Sequence, residues 1–248
     1  MAEKESKNKW HTPAERIMML GFAAVILLGT ILLCLPVSAA DGKSVYWLDA
    51  LFTATTSVCV TGLVTVPTAT TWSTFGKIVI LGLIQFGGLG IMACLTMVFL
   101  ILRRKISLQS RKLIQDTYNL PVLKGSVGIV RKLLIGTAAV ELAGAFFYSF
   151  WFVPEYGFWK GIGYSLFHSV SAFCNAGFDI LGTESNLYPS LTGYAGSPTI
   201  NITIMLLIVV GGIGFLTWDD VCENKWRLHR YRMQSKVILV TTGLLILL

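Results

Sequence analysis

Charged side chains are scarce in this sequence. They make up 13% of the 248 residues, whereas hydrophobic side chains make up 54%, and a soluble domain carries about 25% charged residues. This shortage argues against a water-soluble globular domain, and the high hydrophobic content argues against disorder. The 20 Lys and Arg residues outnumber the 13 Asp and Glu residues, but they fall between long apolar runs. The basic balance therefore favours a membrane protein with no nucleic-acid partner.

Motifs for catalysis and for a resident metal are missing as well. No Ser/His/Asp, HExxH or paired-carboxylate arrangement occurs at matching depth, so an enzyme is the least favoured function. The five cysteines are an odd number, and no two have the spacing of a zinc pair. We interpret them as small buried side chains, and we expect no cofactor in this chain.

Long apolar runs predict membrane spans, because a bilayer core of about 30 Å needs about 20 mostly apolar residues. Four runs qualify, over residues 17–37, 75–102, 133–153 and 200–218. A signal peptide is the alternative for the first run, since a basic stretch precedes it. A fifth run begins at Val237 and has 12 residues, which reach only about 18 Å as a helix. We therefore expect the chain to be an N-terminal portion of a longer polypeptide.

The basic residues predict an orientation. Seventeen of the twenty Lys and Arg residues lie before the first run, after the second or after the fourth, and the others are Lys43, Lys77 and Lys160. Because cytoplasmic loops carry an excess of Lys and Arg, we expect a multi-pass protein of the cell membrane with a cytoplasmic N-terminus. The segments 39–74 and 154–199 then face outside, and the basic segments contact lipid headgroups.

Two outside segments share a pattern that is too apolar for ordinary loops. LDALFTATTSVCVTGL at 48–63 aligns without a gap to GYSLFHSVSAFCNAGF at 163–178, so that Cys59 meets Cys174 and Gly62 meets Gly177, each 115 residues apart. The following runs also match, with LIQFGGLG from Leu83 and LIVVGGIG from Leu207, 124 residues apart. The chain therefore holds two copies of a span, a re-entrant segment and a second span.

This repeat predicts an all-α membrane protein with pseudo-symmetric packing about a shared axis. The expected parts are a cytoplasmic tail (1–16), a first unit (17–105), a cytoplasmic linker (106–132), a second unit (133–220), a second linker (221–236) and the start of an incomplete third unit (237–248).

The re-entrant segments contain short predicted helices. LDALFTATTS is too short to span, and a chain that dips into the membrane and returns is tolerated only where it is buried in protein or lines water. Asp49 lies near the predicted start of the first helix, where negative charge is favourable. The opposite end carries about half a negative charge and attracts a cation.

The stretch after each short helix is expected to be extended, and it has no charged side chain. Backbone carbonyls can replace the water shell of a cation, and a glycine lets the chain turn back. A buried β-type strand is the alternative. The predicted ion-binding residues are Val58, Cys59, Val60, Thr61 and Gly62 in the first copy, and Phe173, Cys174, Asn175, Ala176 and Gly177 in the second. A ring of carbonyls needs about four segments, so two would come from the continuation of the polypeptide or from a second copy.

SVCVTGL, SAFCNAGF and the paired GGLG and GGIG closely resemble the Trk/Ktr/HKT superfamily of potassium transporters, and within it the KtrB-type membrane subunits. The resemblance implies a potassium-channel-like fold in which four units form one pore, with Gly62 and Gly177 as two of four filter glycines and a preference for potassium. It also implies passive or sodium-stimulated potassium uptake, a homodimer, and gating by a KtrA-type cytosolic ring that alone binds nucleotide. The gating loop of the third unit and the arginine of the fourth are not in this sequence. A non-conducting scaffold or accessory subunit is the alternative.

Several residues have two interpretations. Glu141, within the third run, is either a functional carboxyl or a buried polar contact between helices. His168 is interpreted as a structural histidine or as a pH sensor, and Asn175 as a brace or as one more carbonyl donor. The repeated glycines predict close packing beside the pore or a bend. These glycines are Gly87, Gly88, Gly90, Gly211, Gly212 and Gly214.

Overall fold

The computed structural model describes residues 14–90, 93–94, 126–224 and 228–247. Across these ranges the regular structure is helical, as predicted, and the only β-type pairing there is an isolated bridge between Ala39 and Trp72. Most of the predicted tail (1–16), most of the first linker (106–132), positions 225–227 of the second linker and most of the span predicted beyond residue 90 lie outside the described residues.

The first half of the chain forms a small group of packed helices. These are α1 (Ala14–Cys34), α2 (Trp47–Val58), α3 (Thr68–Thr71) and α4 (Thr74–Leu89). Helix α1 ends just before Pro36, which lacks the N–H needed to continue it. The side chain of Ser73 accepts a hydrogen bond of 3.2 Å from the N–H of Gly76 and so caps the start of α4. Helices α1, α2 and α4 pack against one another.

The second half repeats this arrangement and adds two further helices. These are α5 (Ser126–Tyr156), α6 (Phe158–Phe173), α7 (Pro198–Gly212), α8 (Phe215–Asn224) and α9 (Met233–Leu247). Gly157, with a φ of 82°, separates α5 from α6, and Pro198 occupies the first turn of α7, where no N–H is needed. Helices α5, α6 and α7 pack against one another, and α4 contacts α6. The two groups share one hydrophobic core.

One glycine in the first helix of each group permits a close approach. A Cβ on Gly29 would lie 2.7 Å from Leu83, and a Cβ on Gly144 would lie 2.8 Å from Leu207. Gly29 and Gly144 are 115 residues apart in the sequence, and the two leucines are 124 residues apart. Helix α1 therefore meets α4 at the position that corresponds to the contact between α5 and α7.

The second and fourth predicted spans are not single straight helices. Helix α4 ends at Leu89, and α7 and α8 meet at an angle of 96° across a short break. Gly90 and Gly214 stand at these two breaks, each with a φ of 82°. A residue with positive φ ends a helix and is usually glycine, because glycine has no Cβ to clash. These breaks agree with the bend that was one interpretation of the repeated glycines.

Apolar helices of membrane type are present. Within the described ranges, Val130–Tyr156 is long and apolar enough to cross a bilayer, and the bent α7–α8 pair passes the same test as one broken span. Shorter apolar helices cover Met18–Cys34, Thr74–Leu89 and Met233–Leu247. Many large apolar side chains of α1 and α5 are exposed, among them Ile31 at 66% and Leu142 at 62%. Such surfaces suit lipid contact.

The interpretation of every cysteine as buried is only partly correct. Cys94 and Cys174 are buried, whereas Cys59 and Cys222 are exposed and Cys34 is half-buried. The exposed pair lie just after α2 and near the end of α8.

Candidate ion-binding site

The chain leaves α2 and α6 through segments with the same main-chain hydrogen bonds. We call residues 58–63 the first helix-end segment and residues 173–178 the second. In the first, the N–H groups of Cys59, Val60 and Thr61 donate to the carbonyls of Thr55, Ser57 and Thr56 at 2.8, 3.3 and 3.0 Å. In the second, those of Cys174, Asn175 and Ala176 donate to Val170, Ala172 and Ser171 at 2.9, 3.1 and 2.8 Å. Every donor and acceptor has its counterpart 115 residues along the chain.

These bonds form a Schellman motif at the C-terminus of each helix, in which a left-handed residue follows the cap. Val60 and Asn175 are the left-handed residues, with φ of 56° and 57°. Gly62 and Gly177 are left-handed as well, both with φ of 71°. Asparagine adopts positive φ more readily than most residues, but for a β-branched valine it is a strained conformation.

The expectation of an extended stretch beginning at Val58 and Phe173 is wrong for its first residues. Val58 and Phe173 are the last residues of α2 and α6, and the caps Cys59 and Cys174 keep helical φ of −81° and −74°. The physical reason is that the last helical carbonyls still need donors, and the next N–H groups supply them only if the chain turns tightly.

A hydroxyl group in each helix holds the chain that returns beyond the glycine. The Thr56 hydroxyl oxygen accepts from the N–H of Leu63 at 3.0 Å. At the corresponding place, the Ser171 hydroxyl donates to the carbonyl of Phe178 at 2.8 Å. Asp49 lies in the first turn of α2, as predicted.

The repeated glycines of α4 and α7 pack against these segments. A Cβ on Gly87 would overlap the carbonyl oxygen of Val58, and one on Gly211 would overlap that of Phe173. A Cβ on Gly88 would overlap the sulfur of Cys174, whereas Gly212 has only the amide nitrogen of Asn175 nearby, at 3.9 Å. Gly90 and Gly214 have no neighbours within 4 Å of an added Cβ and instead end their helices.

The two helix-end segments lie side by side. A Cβ on Gly62 would overlap the carbonyl oxygen of Ala176 and lie 3.2 Å from the Cα of Gly177. The two glycines that the sequence aligns are therefore neighbours in space. The side-chain amide of Asn175 donates to the carbonyl of Ile208 at 3.5 Å, which links the second segment to α7.

Glu141 makes the contact between helices that one interpretation predicts. Its carboxylate is buried, with 6% of the residue exposed. The side-chain nitrogen of Gln85 in α4 donates to both carboxylate oxygens, at 2.9 and 3.1 Å.

His168 is buried among aromatic rings, and one of its ring nitrogens lies 2.8 Å from the carbonyl of Tyr164. The other faces Asp179 at 3.8 Å, which is too long for a hydrogen bond. Asp179 also accepts from the N–H groups of Leu181 and Ser190, at 2.5 and 2.9 Å. Burial raises the pKa of the Asp179 carboxyl, but His168 and these two N–H groups outweigh it, and the net pKa is lowered.

Asp179 was not among the residues that the sequence pattern selected. The sequence feature that could have identified Asp179 is its position two residues after Gly177. A cavity of about 520 Å³ adjoins this region, and Asn175, Gly177, His168 and Asp179 contribute to its lining.

Comparison with known families identifies the chain. A family model described as TrkH, cation transport protein, matches residues 7–242. The chain belongs to this family. The TrkH-family assignment makes it a membrane protein related to cation transporters, in agreement with its composition and its apolar helices.

Three relatives of this TrkH-family chain carry names that describe ion uptake. The Ktr system potassium uptake protein B of Bacillus subtilis is 41% identical over 246 residues, covering 98% of this chain and 53% of the relative. The potassium/sodium uptake protein NtpJ of Enterococcus hirae is 38% identical, with 98% and 52% covered. The Ktr system potassium uptake protein B of Vibrio alginolyticus is 35% identical, also with 98% and 52% covered.

The chain thus spans about half the length of the curated relatives that it matches. The resemblance to KtrB-type proteins, which the repeated glycine motifs predicted, is confirmed by these matches.

Proposed function

We propose that this chain takes part in potassium uptake across the cell membrane and supplies two segments of a carbonyl-lined selectivity filter. The observation that carries the proposal is the pair of helix-end segments, which share their hydrogen bonds and φ angles and meet at Gly62 and Gly177. The names of the relatives, which are potassium or potassium/sodium uptake proteins, support the choice of ion.

The chemistry follows from the ends of α2 and α6. The C-terminal end of a helix carries partial negative charge, which favours a cation beside it. The ten residues 58–62 and 173–177 contain no charged side chain, so main-chain oxygens are the ligands that they offer in place of water. The carbonyls of Val58 and Phe173 lie against Gly87 and Gly211. We therefore assign the ion contacts to the carbonyls that follow the left-handed turns.

The proposed assembly is larger than this chain. Four segments around one axis would complete a carbonyl ring, and the chain supplies two, in the units 17–105 and 133–220. The proposal keeps a multi-pass topology with a cytoplasmic N-terminus, a homodimer, and sodium as a stimulating ion. A KtrA-type nucleotide-binding ring would dock on the basic cytoplasmic segments, and the Ktr system names of two relatives support a multi-component assembly.

Substitution of Gly62 by serine in the full-length protein tests the filter. Uptake of potassium and sodium is measured in cells that lack their own potassium transporters. We expect Gly62→Ser to weaken discrimination of potassium from sodium, because the added atoms enter the space of the Ala176 carbonyl.

Gly82→Ser is the matched control, since an added Cβ at Gly82 in α4 meets nothing within 4 Å. Unchanged selectivity in Gly62→Ser would contradict the filter role of this segment. If the full-length protein produced no potassium uptake at all, the scaffold alternative would replace the proposal.

A further inference from the structure

Behind the second helix-end segment, a chain of polar contacts links three elements. The nitrogen of the Gln85 side chain in α4 donates to both carboxylate oxygens of Glu141 in α5, at 2.9 and 3.1 Å. The thiol of Cys174 donates to the oxygen of the same Gln85 amide at 3.8 Å. Glu141 is 6% exposed and Cys174 is 9% exposed. The contacts are therefore shielded from water. In such a buried environment hydrogen bonds are strong and an unpaired polar group is costly.

The geometry orients the Gln85 amide in one way. A carboxylate accepts hydrogen bonds and cannot donate, so the NH₂ end of the amide must face Glu141. The amide oxygen then faces the thiol of Cys174, as observed. Gly88 lies three residues further along α4 and packs against the same sulfur and against the Cβ of Cys174. The position of Cys174 is thus defined by two residues of α4.

A second contact anchors Glu141 itself. The hydroxyl of Ser169 in α6 donates to the main-chain carbonyl of Glu141 at 2.6 Å. Helix α6, whose end leads into Cys174, is therefore tied to α5 beside the carboxylate. Glu141, Gln85 and Ser169 together connect α4, α5 and α6 directly behind the turn.

The positions that correspond to Glu141 and Gln85 in the repeat carry apolar residues. The residue 115 positions before Glu141 is Ile26, and the residue 124 positions after Gln85 is Val209. The same offsets relate Gly29 to Gly144 and Leu83 to Leu207, which make equivalent close contacts. Helices α1 and α7 therefore carry apolar residues at the positions where α5 and α4 carry this polar pair. Because burial of a carboxyl costs free energy, its presence at one junction needs a further reason.

We infer that Gln85 and Glu141 are positioning residues that hold Cys174, and with it the second filter segment, in the conformation that discriminates between cations. Glu141 orients Gln85, and Gln85 binds the first residue of the turn after α6. This inference rests on the proposed function, because only a filter gives the position of Cys174 a consequence for ion selection.

The first experiment measures the accessibility of Cys174 and does not depend on transport. In the full-length protein, the other cysteines are replaced by serine, and a small methanethiosulfonate reagent modifies Cys174 in membranes. The test variant is Gln85→Val with Glu141→Ile, which installs the residues of the other repeat copy. We expect modification to be about fivefold faster or more, as loss of a buried hydrogen bond predicts. An unchanged rate would overturn the inference.

Two variants control this measurement. Glu141→Gln keeps an oxygen that accepts from Gln85, and we expect a rate within about twofold of the parent. Leu142→Ala changes a neighbouring residue of α5 that is 62% exposed, and it should have no effect. If the double variant does not fold, as judged by gel filtration, Gln85→Leu alone provides the same comparison. Faster modification in Leu142→Ala as well would overturn the inference, since a general loosening of α5 would then explain the result.

The second experiment measures selectivity. The Gln85→Val/Glu141→Ile variant should raise the KM for potassium relative to the KM for sodium. The Glu141→Gln variant should keep the ratio of these two KM values close to that of the parent. In a Cys174→Ala background the same pair should have no further effect, because it acts through the thiol. If Gly62→Ser alters selectivity and the pair does not, the inference fails and the proposed function stands. If neither alters selectivity although Cys174 becomes accessible, the filter function fails.

Discussion

Gly62 and Gly177 lie against each other with the same φ of 71°, yet their surroundings differ. A Cβ on Gly62 would overlap the Ala176 carbonyl oxygen and approach the Cα of Gly177 to 3.2 Å. A Cβ on Gly177 would meet only the Cα of Gly62, at 3.8 Å, which is ordinary contact. The two glycines are equivalent in the repeat, but only one of them is confined by its neighbour.

This difference predicts unequal costs for alanine at the two positions. Gly177→Ala should lower the free energy of unfolding by about 1–2 kcal/mol, because alanine is strained at positive φ. Gly62→Ala should cost about 3 kcal/mol or more, since the Ala176 carbonyl must also move. Denaturation of the two purified variants in detergent provides the comparison, and equal losses would contradict the contact between the segments.

The glycines beneath the helix ends predict a second pair of effects. Gly87→Ala and Gly211→Ala should each destabilise the protein by about 2 kcal/mol or more, because the new methyl group displaces the carbonyl of Val58 or Phe173. Gly82→Ala is the control on the same helix as Gly87. It has free space around the Cβ position, and alanine should stabilise a helix by up to about 1 kcal/mol. Thermal unfolding measures all three, and a stable Gly87→Ala protein would refute the close packing.

Val60 is predicted to be strained. It occupies the left-handed position of the Schellman motif with a φ of 56°, where glycine or asparagine is usual. Val60→Asn, which copies the residue found at 175, should raise the free energy of unfolding by about 1 kcal/mol.

The converse change, Asn175→Val, should lower it by a similar amount. Chemical denaturation followed by tryptophan fluorescence distinguishes these outcomes. A loss of stability in Val60→Asn would show that the valine side chain contributes packing that exceeds its backbone strain.

Asp179 predicts a dependence of stability on acid pH. Its folded-state pKa is lowered, so its contribution is complete above the pKa of an unfolded aspartate, about 4. That contribution is lost as the pH falls through the folded-state pKa. Asp179→Asn should be less stable than the parent at neutral pH, and the difference should shrink as the pH falls below about 4.

Melting temperatures recorded from neutral pH to about pH 3 test this prediction. Asp41→Asn, at an exposed position in the loop after α1, is the control and should have little effect at any pH. A constant difference between parent and Asp179→Asn across the whole range would exclude titration of Asp179 as its cause.

The apolar helices near 17–37 and 133–153 and the alignment of Gly62 with Gly177 could all be predicted from the amino-acid order. Hydropathy over about 20 residues and a constant offset are local or periodic signals, and they need no knowledge of contacts. The breaks at Gly90 and Gly214 were harder to place, because a glycine within an apolar run permits a bend without requiring one.

Other features arise only when distant segments meet. Gln85 and Glu141 are 56 residues apart, and nothing in either local pattern pairs them. His168 and Asp179 face each other because α6 ends in a tight turn that brings the following loop back beside the helix. The φ of Val60 follows from the need of the last carbonyls of α2 for donors, which overrides the preference of valine for extended structure. Composition and repetition thus determine which segments are apolar helices and which are repeated, whereas packing and hydrogen-bond satisfaction determine how each turn is held.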